Sequence, residues 1–173
     1  MKYSIQTKQK NYLSGLEHNS INEVIDAIVF YDLLPPFKIF DESKNDVTNE
    51  VISKITKLGY KFIDKKKVAT NIPSGLQELM NKYYRNTVTL KEIGNISVKL
   101  TTVKDIKSIK GFYDLWENKA ITIGVSGSKV LFLDCFTKSI CTISSTSTKD
   151  LSKKTVVSNT VTEFIKSYKA NVQ

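Results

Sequence analysis

ITIGVSGSKVLFLDCFTKSICTIS, residues 121–144, decides how this chain is read. Its GVSGSK segment superficially matches a phosphate-binding loop. Such a loop follows GXXXXGK[ST] and opens a helix whose first amides hold the anion. Here the spacing is wrong, and the residues that follow, VLFLDCF, are branched and aromatic. They read as a strand, so no helix N-terminus is available. Glycine tolerates a positive φ at little cost, which suits a turn. Residues 121–144 are therefore expected to form a meander of three antiparallel strands, turning near Ser126 and again near Lys138. With the second turn at Lys138, Cys135 and Cys141 would face each other across the hairpin.

Upstream, NSINEVIDAIVFYDLL has apolar residues at helical spacing. Asn19 or Ser20 is the cap, with Glu23 as in a capping box, and Pro35-Pro36 ends the helix. DVTNEVISKITKLG predicts a second helix capped by Thr48 and stopped by Gly59. Lys65, Lys66 and Lys67 read as a loop. Pro73 opens a third helix, with Leu76, Leu79, Met80 and Tyr83 on its apolar face. LKEIGNISVKL alternates like a strand or hairpin edge. TTVKDIKSI reads as a short helix capped by Thr101 or Thr102. GFYDLWENK reads as an aromatic-rich connection. After a Ser/Thr/Lys-rich loop, TVTEFIKSY predicts a closing helix capped by Ser158. Residues 1–19 read as a polar arm, and FKIF as a short apolar piece.

The chain has 173 residues, 26 Lys and Arg against 17 Asp and Glu, and a single arginine, Arg85. No run of about 18 apolar residues exists, so no membrane span is expected. The polar first residues lack an apolar export signal, so a cytoplasmic location is expected. The positive balance suits nucleic acid, an anionic surface or an acidic protein. Specific phosphate and base readers favour the bidentate arginine fork, which is almost missing here. Two cysteines and one histidine, His18, make a poor metal set. A nucleophile–histidine machine would have to use His18, which is expected at the surface. Asp114, Glu117 and Asp134 form no recognisable catalytic pair. No enzyme activity, metal or cofactor is expected.

The order of elements carries a resemblance. Pro73 begins a helix with an aromatic end at Tyr84. The meander then shows Ile123-Gly124, Gly127, Leu131 to Asp134, Thr137 and Ile140, and Glu163-Phe164-Ile165 follows in the last helix. Over residues 47–170 this resembles the SUKH superfamily, which includes yeast cell-wall-synthesis regulators and bacterial immunity proteins. Arg85-Asn86-Thr87 departs from the family's usual Asn-Gly. The resemblance implies a protein-binding module, an immunity protein that occludes a cognate toxin. The basic balance points to an acidic toxin or one that is not a nuclease. Alternatives are a basic nucleic-acid-associated accessory protein and a viral or regulatory scaffold of the same superfamily.

The expected fold is α+β: an antiparallel or mixed sheet with a C-terminal β-meander, and helices on one face and around the edge. Residues 1–46 are expected as an extension with one helix, and residues 47–173 as the SUKH-like domain. The expected partner anchors are Trp116, Tyr113 and Tyr84, with Tyr83 assigned to core packing.

Overall fold

The computed structural model describes residues 1–10 and 13–172. The chain divides into two compact units, residues 1–64 and 65–173.

The first unit holds β1 (Tyr3–Gln6), β2 (Glu17–His18), α1 (Ile21–Phe30), β3 (Lys38–Asp41) and α2 (Thr48–Lys57). The strands form an antiparallel sheet ordered β2-β1-β3. The supposed polar arm thus supplies a central strand, although residues 11 and 12 of that arm lie outside the described residues. Ile5 is fully buried between polar neighbours, and its pairing with Ile39 brings in the FKIF piece as β3. α1 begins as expected: Ser20 Oγ accepts the Glu23 N–H at 3.2 Å, and Glu23 Oε2 accepts the Asn19 N–H at 2.7 Å. Such a cap contributes about 1 kcal/mol.

α2 is capped differently from the expectation. Asp46 Oδ1 accepts the Thr48 N–H, while Thr48 Oγ1 accepts the Ile39 N–H and so ties the helix to β3. Gly59 ends α2 with φ +83°. Val51 and Ile55 of α2 join Val24, Ile25 and Ile28 of α1 in one apolar cluster. The division expected after residue 46 therefore falls after Asp64, because α2 buries its stripe in the first unit. Tyr60 Oη donates to Asp32 Oδ1 at 2.6 Å, linking the two helix ends.

The second unit holds α3 (Lys65–Ala69), α4 (Ser74–Tyr83), β4 (Thr87–Leu90), β5 (Ile96–Leu100), α5 (Phe112–Glu117), β6 (Ala120–Ser126), β7 (Lys129–Asp134), β8 (Ile140–Ser144), β9 (Thr155–Ser158) and α6 (Val161–Asn171). Its six strands form one antiparallel sheet in chain order. With the small sheet of the first unit, the fold is α+β.

The meander forms as read. Ser126 pairs with Lys129, and Gly127 between them has φ +59°, the pattern of a II′ turn. Gly124 is required for a different reason. A bulge falls between Thr122 and Gly124, and a Cβ at Gly124 would meet Lys99 O at 2.3 Å. β5 crosses there with its backbone nearly touching.

The strands are buried on both sides. Leu115 of α5 clusters with Ala120, Val130, Phe132, Cys141 and Ile143. The alternate residues Ile121, Ile123, Leu131 and Leu133 are fully buried too, which explains the near-continuous apolar runs. α6 contacts α4 and both edge strands, β4 and β9, so the sheet curls about it. Phe164 and Tyr168 on its inner face are fully buried, and the Tyr168 hydroxyl has no hydrogen-bond partner among the described residues.

Four local expectations are corrected. The lysine run starts helix α3, where Val68 is buried. TTVKDIKSI yields only a short 3-10 turn at Ile106–Ser108. The aromatic connection is helix α5, because Phe112 and Leu115 share its buried side. Thr160, not Ser158, caps α6 by accepting the Glu163 N–H, since Ser158 ends the unexpected strand β9.

Candidate partner-binding surface

Asp134 organises the turn between β7 and β8. The residue as a whole is 4 % exposed. Oδ1 accepts the N–H of Phe136 at 2.9 Å and of Thr137 at 3.1 Å, and Oδ2 accepts Lys154 Nζ at 2.5 Å. Burial pushes its pKa up, but the Lys154 hydrogen bond, the two backbone N–H groups and the Lys154 charge together hold it below the ordinary value. Lys154 is correspondingly raised, chiefly by its bond to Asp134. Thr137 and Ser139 share a hydroxyl–hydroxyl bond at 2.6 Å. Lys138 takes the left-handed conformation at φ +59°.

This restrained turn presents Phe136, 90 % exposed. A side chain with so much apolar area in water, on a backbone held by two N–H bonds to one buried carboxylate that Lys154 anchors in turn, is built like an interface anchor.

α5 lies next to the turn. The Cys135 N–H donates to the Lys119 carbonyl at 2.9 Å, and the Lys119 N–H donates to the Trp116 carbonyl at 3.1 Å. Trp116 is half-buried and stacked on buried Phe112, with centroids 6.4 Å apart and planes at 13°. Tyr113 is half-buried and meets Phe112 edge-on at 5.3 Å. Two backbone hydrogen bonds thus tie the end of α5 to the start of the turn, while Phe112 packs against both expected anchors. Tyr113 and Trp116 keep part of their surface accessible.

Tyr84 stands elsewhere, at the end of α4. It is half-buried, and Arg85 Nε donates to its hydroxyl at 2.9 Å. Tyr83 packs against Tyr168 at 5.9 Å, a core contact as expected.

The other chemical groups are engaged or separate. Asp114 Oδ2 accepts the Thr148 hydroxyl at 2.8 Å. His18, expected at the surface, is half-buried in β2 with Nε2 lacking a partner among the described residues. Cys135 and Cys141 do not face each other, because Cys141 pairs with Phe132 and the turn centres before Lys138. Both are free thiols, and burial pushes both pKa values up. Among the described residues no three His, Cys, Asp or Glu are grouped to hold a metal ion, and no helix is long and apolar enough to cross a membrane.

Charge is divided between the units. Residues 65–173 carry 18 Lys and Arg against 8 Asp and Glu, and residues 1–64 carry 8 against 9. The basic excess therefore belongs to the unit that bears Phe136.

Phe136 escaped the sequence reading because it follows an apolar strand and looks like its continuation. The available signal was the Asp134-Cys135-Phe136-Thr137 order, in which an aspartate two and three residues before free amides closes a turn. No protein-family model matches the chain, and no curated protein matches it.

Proposed function

We propose that the protein is a non-catalytic binding module that captures a protein partner through the Phe136 turn, with Trp116 and Tyr113 alongside. The observation that carries this reading is the pairing of near-complete exposure at Phe136 with the rigid hydrogen-bonded support from Asp134. Ordering such an anchor before binding lowers the entropic cost of association. The basic balance of the second unit suits an acidic partner and would speed encounter.

The motif resemblance supplies the biological context. The module acts as an intracellular immunity protein of the SUKH type, masking a toxin domain. The test is growth rescue and calorimetry with a toxin encoded beside its gene. Wild-type protein should bind and restore growth, and Phe136→Ala should do neither at matched expression. Equal rescue by both would reject the turn as the contact.

The charge excess in residues 65–173 also favours a second reading, a nucleic-acid-associated protein. Its signature is binding to DNA or RNA that collapses steeply between low and physiological salt. No binding at low salt dismisses it.

A further inference from the structure

The single arginine of the chain sits at the mouth of a cleft remote in sequence from the Phe136 turn. Arg85 follows α4, and its guanidinium carbon lies 5.3 Å from the centre of the Tyr84 ring. Nε donates to the Tyr84 hydroxyl, so the group is oriented by its neighbour. Among the described residues that hydroxyl is its only hydrogen-bond partner, which leaves both terminal nitrogens available. A cavity of about 480 Å³ opens beside it. Ile109 and Val125 give it an apolar wall, and Lys99, paired with Val125 across β5 and β6, adds a second positive charge. The neighbouring Leu100 turns its side chain into the core and pairs with Gly124, so the strand that carries this wall is held in the sheet.

Asp105 also lines the cleft. Its Oδ2 accepts the Thr102 hydroxyl at 2.6 Å. The cleft therefore carries two positive charges and one negative. A phosphate chain, with two or more negative charges, would meet the Asp105 carboxylate as a like charge in the same cleft. The net charge of these three groups, +1, matches a single carboxylate better than a polyanion.

The geometry points to a binding site for a carboxylate attached to an apolar body. The guanidinium grips the carboxylate through two parallel N–H bonds, and the apolar body lies along Tyr84, Ile109 and Val125. The volume is within the range of small-ligand sites. Two sources have this chemistry: a free aryl or alkyl acid, and the C-terminal carboxylate of a peptide ending in an apolar residue. The inference stands independently of the Phe136 turn.

The test follows backbone amide and Arg85 Nε–H resonances of the full chain during titration. The probes are phenylacetate, its neutral analogue phenylacetamide, and acetyl-Gly-Phe with a free carboxylate. The expected result is saturable shifts at Arg85, Leu100 and Val125 with either acid, at least about 10-fold weaker binding of the amide, and a comparable loss in Arg85→Ala. Arg85→Lys keeps the charge without the fork and should fall between. Tighter binding of phenylacetate marks a free acid as the natural ligand, and tighter binding of the peptide marks a chain terminus. Arg85 is exposed, so an unchanged melting curve is expected for both variants. No saturable shift at these residues, equal affinity for acid and amide, or unaltered binding by Arg85→Ala overturns the proposal. So does a thymidine oligonucleotide that shifts the same resonances at lower concentration than either acid.

Discussion

Lys154 Nζ lies 2.5 Å from Asp134 Oδ2, and this contact joins the segment before β9 to the turn that carries Phe136. The aspartate side chain is 6 % exposed and the lysine side chain 27 %. A carboxylate so covered contributes only while its partners hold it, and removing it strands a cation and two backbone N–H groups together.

Asp134→Ala should therefore lower stability by about 2 kcal/mol, read from chemical denaturation. Asp134→Asn keeps an acceptor oxygen and should lose less. Equal stability of Asp134→Ala and wild type would contradict the role given to this carboxylate.

The same pair predicts a pH dependence. The folded-state pKa of Asp134 is lowered, so its contribution is complete above the unfolded value, about 3.9, and is lost as pH falls through the folded value. Lys154 is raised, so its contribution is complete below about 10.4 and disappears as pH rises through the folded value. Melting temperature should decline on the acid side more gently in Asp134→Asn than in wild type.

Phe136→Ala should leave the melting temperature unchanged, because the ring is 90 % exposed. Partner affinity should drop by about 2 kcal/mol or more, the range of interface hot spots. A loss of stability instead would show that the ring packs within the fold.

Gly124→Ala should be severe despite its small size. The new methyl would meet Lys99 O at 2.3 Å and Leu100 Cα at 2.9 Å, and backbone atoms cannot rotate away. A cost of about 2–3 kcal/mol is expected, measured by urea unfolding. Gly127→Ala meets no atom within 4 Å and suffers only from its positive φ, so it should cost less.

Cys135 and Cys141 should show no disulfide under mild oxidation, because their positions are offset along the hairpin. A colorimetric thiol assay should find half-buried Cys135 reacting first and buried Cys141 only on unfolding. Simultaneous loss of both thiols on oxidation of the folded protein would refute the register.

The sequence carried the second unit's meander clearly, since AITIG, VLFLD and ICTIS are long apolar runs divided by turn residues. Helices α1, α4 and α6 were equally legible through their spacing. Short elements were not. β1 buries only Ile5 completely, and β9 is four residues within a Ser/Thr/Lys-rich stretch, so neither has a period to read. Their pairing is decided by partners distant in sequence. The aromatic cluster was located by composition, but Phe112 as the ring beneath Tyr113 and Trp116 required the turn of α5. Phe136 was hidden because local sequence does not show that a lysine 20 residues later would bind Asp134 and help halt the strand.

Tyr168 sets an upper bound on the alkalinity the second unit withstands. Its pKa is pushed up to about 12, first by burial and then by the nearby Tyr83, whereas an unfolded tyrosine ionises near 10. The neutral phenol is favoured in the folded state, so that share of stability is intact below about pH 10 and drains away between the two values. Exchanging the hydroxyl for hydrogen in Tyr168→Phe would remove this base sensitivity while keeping the ring that α6 sets against Phe164.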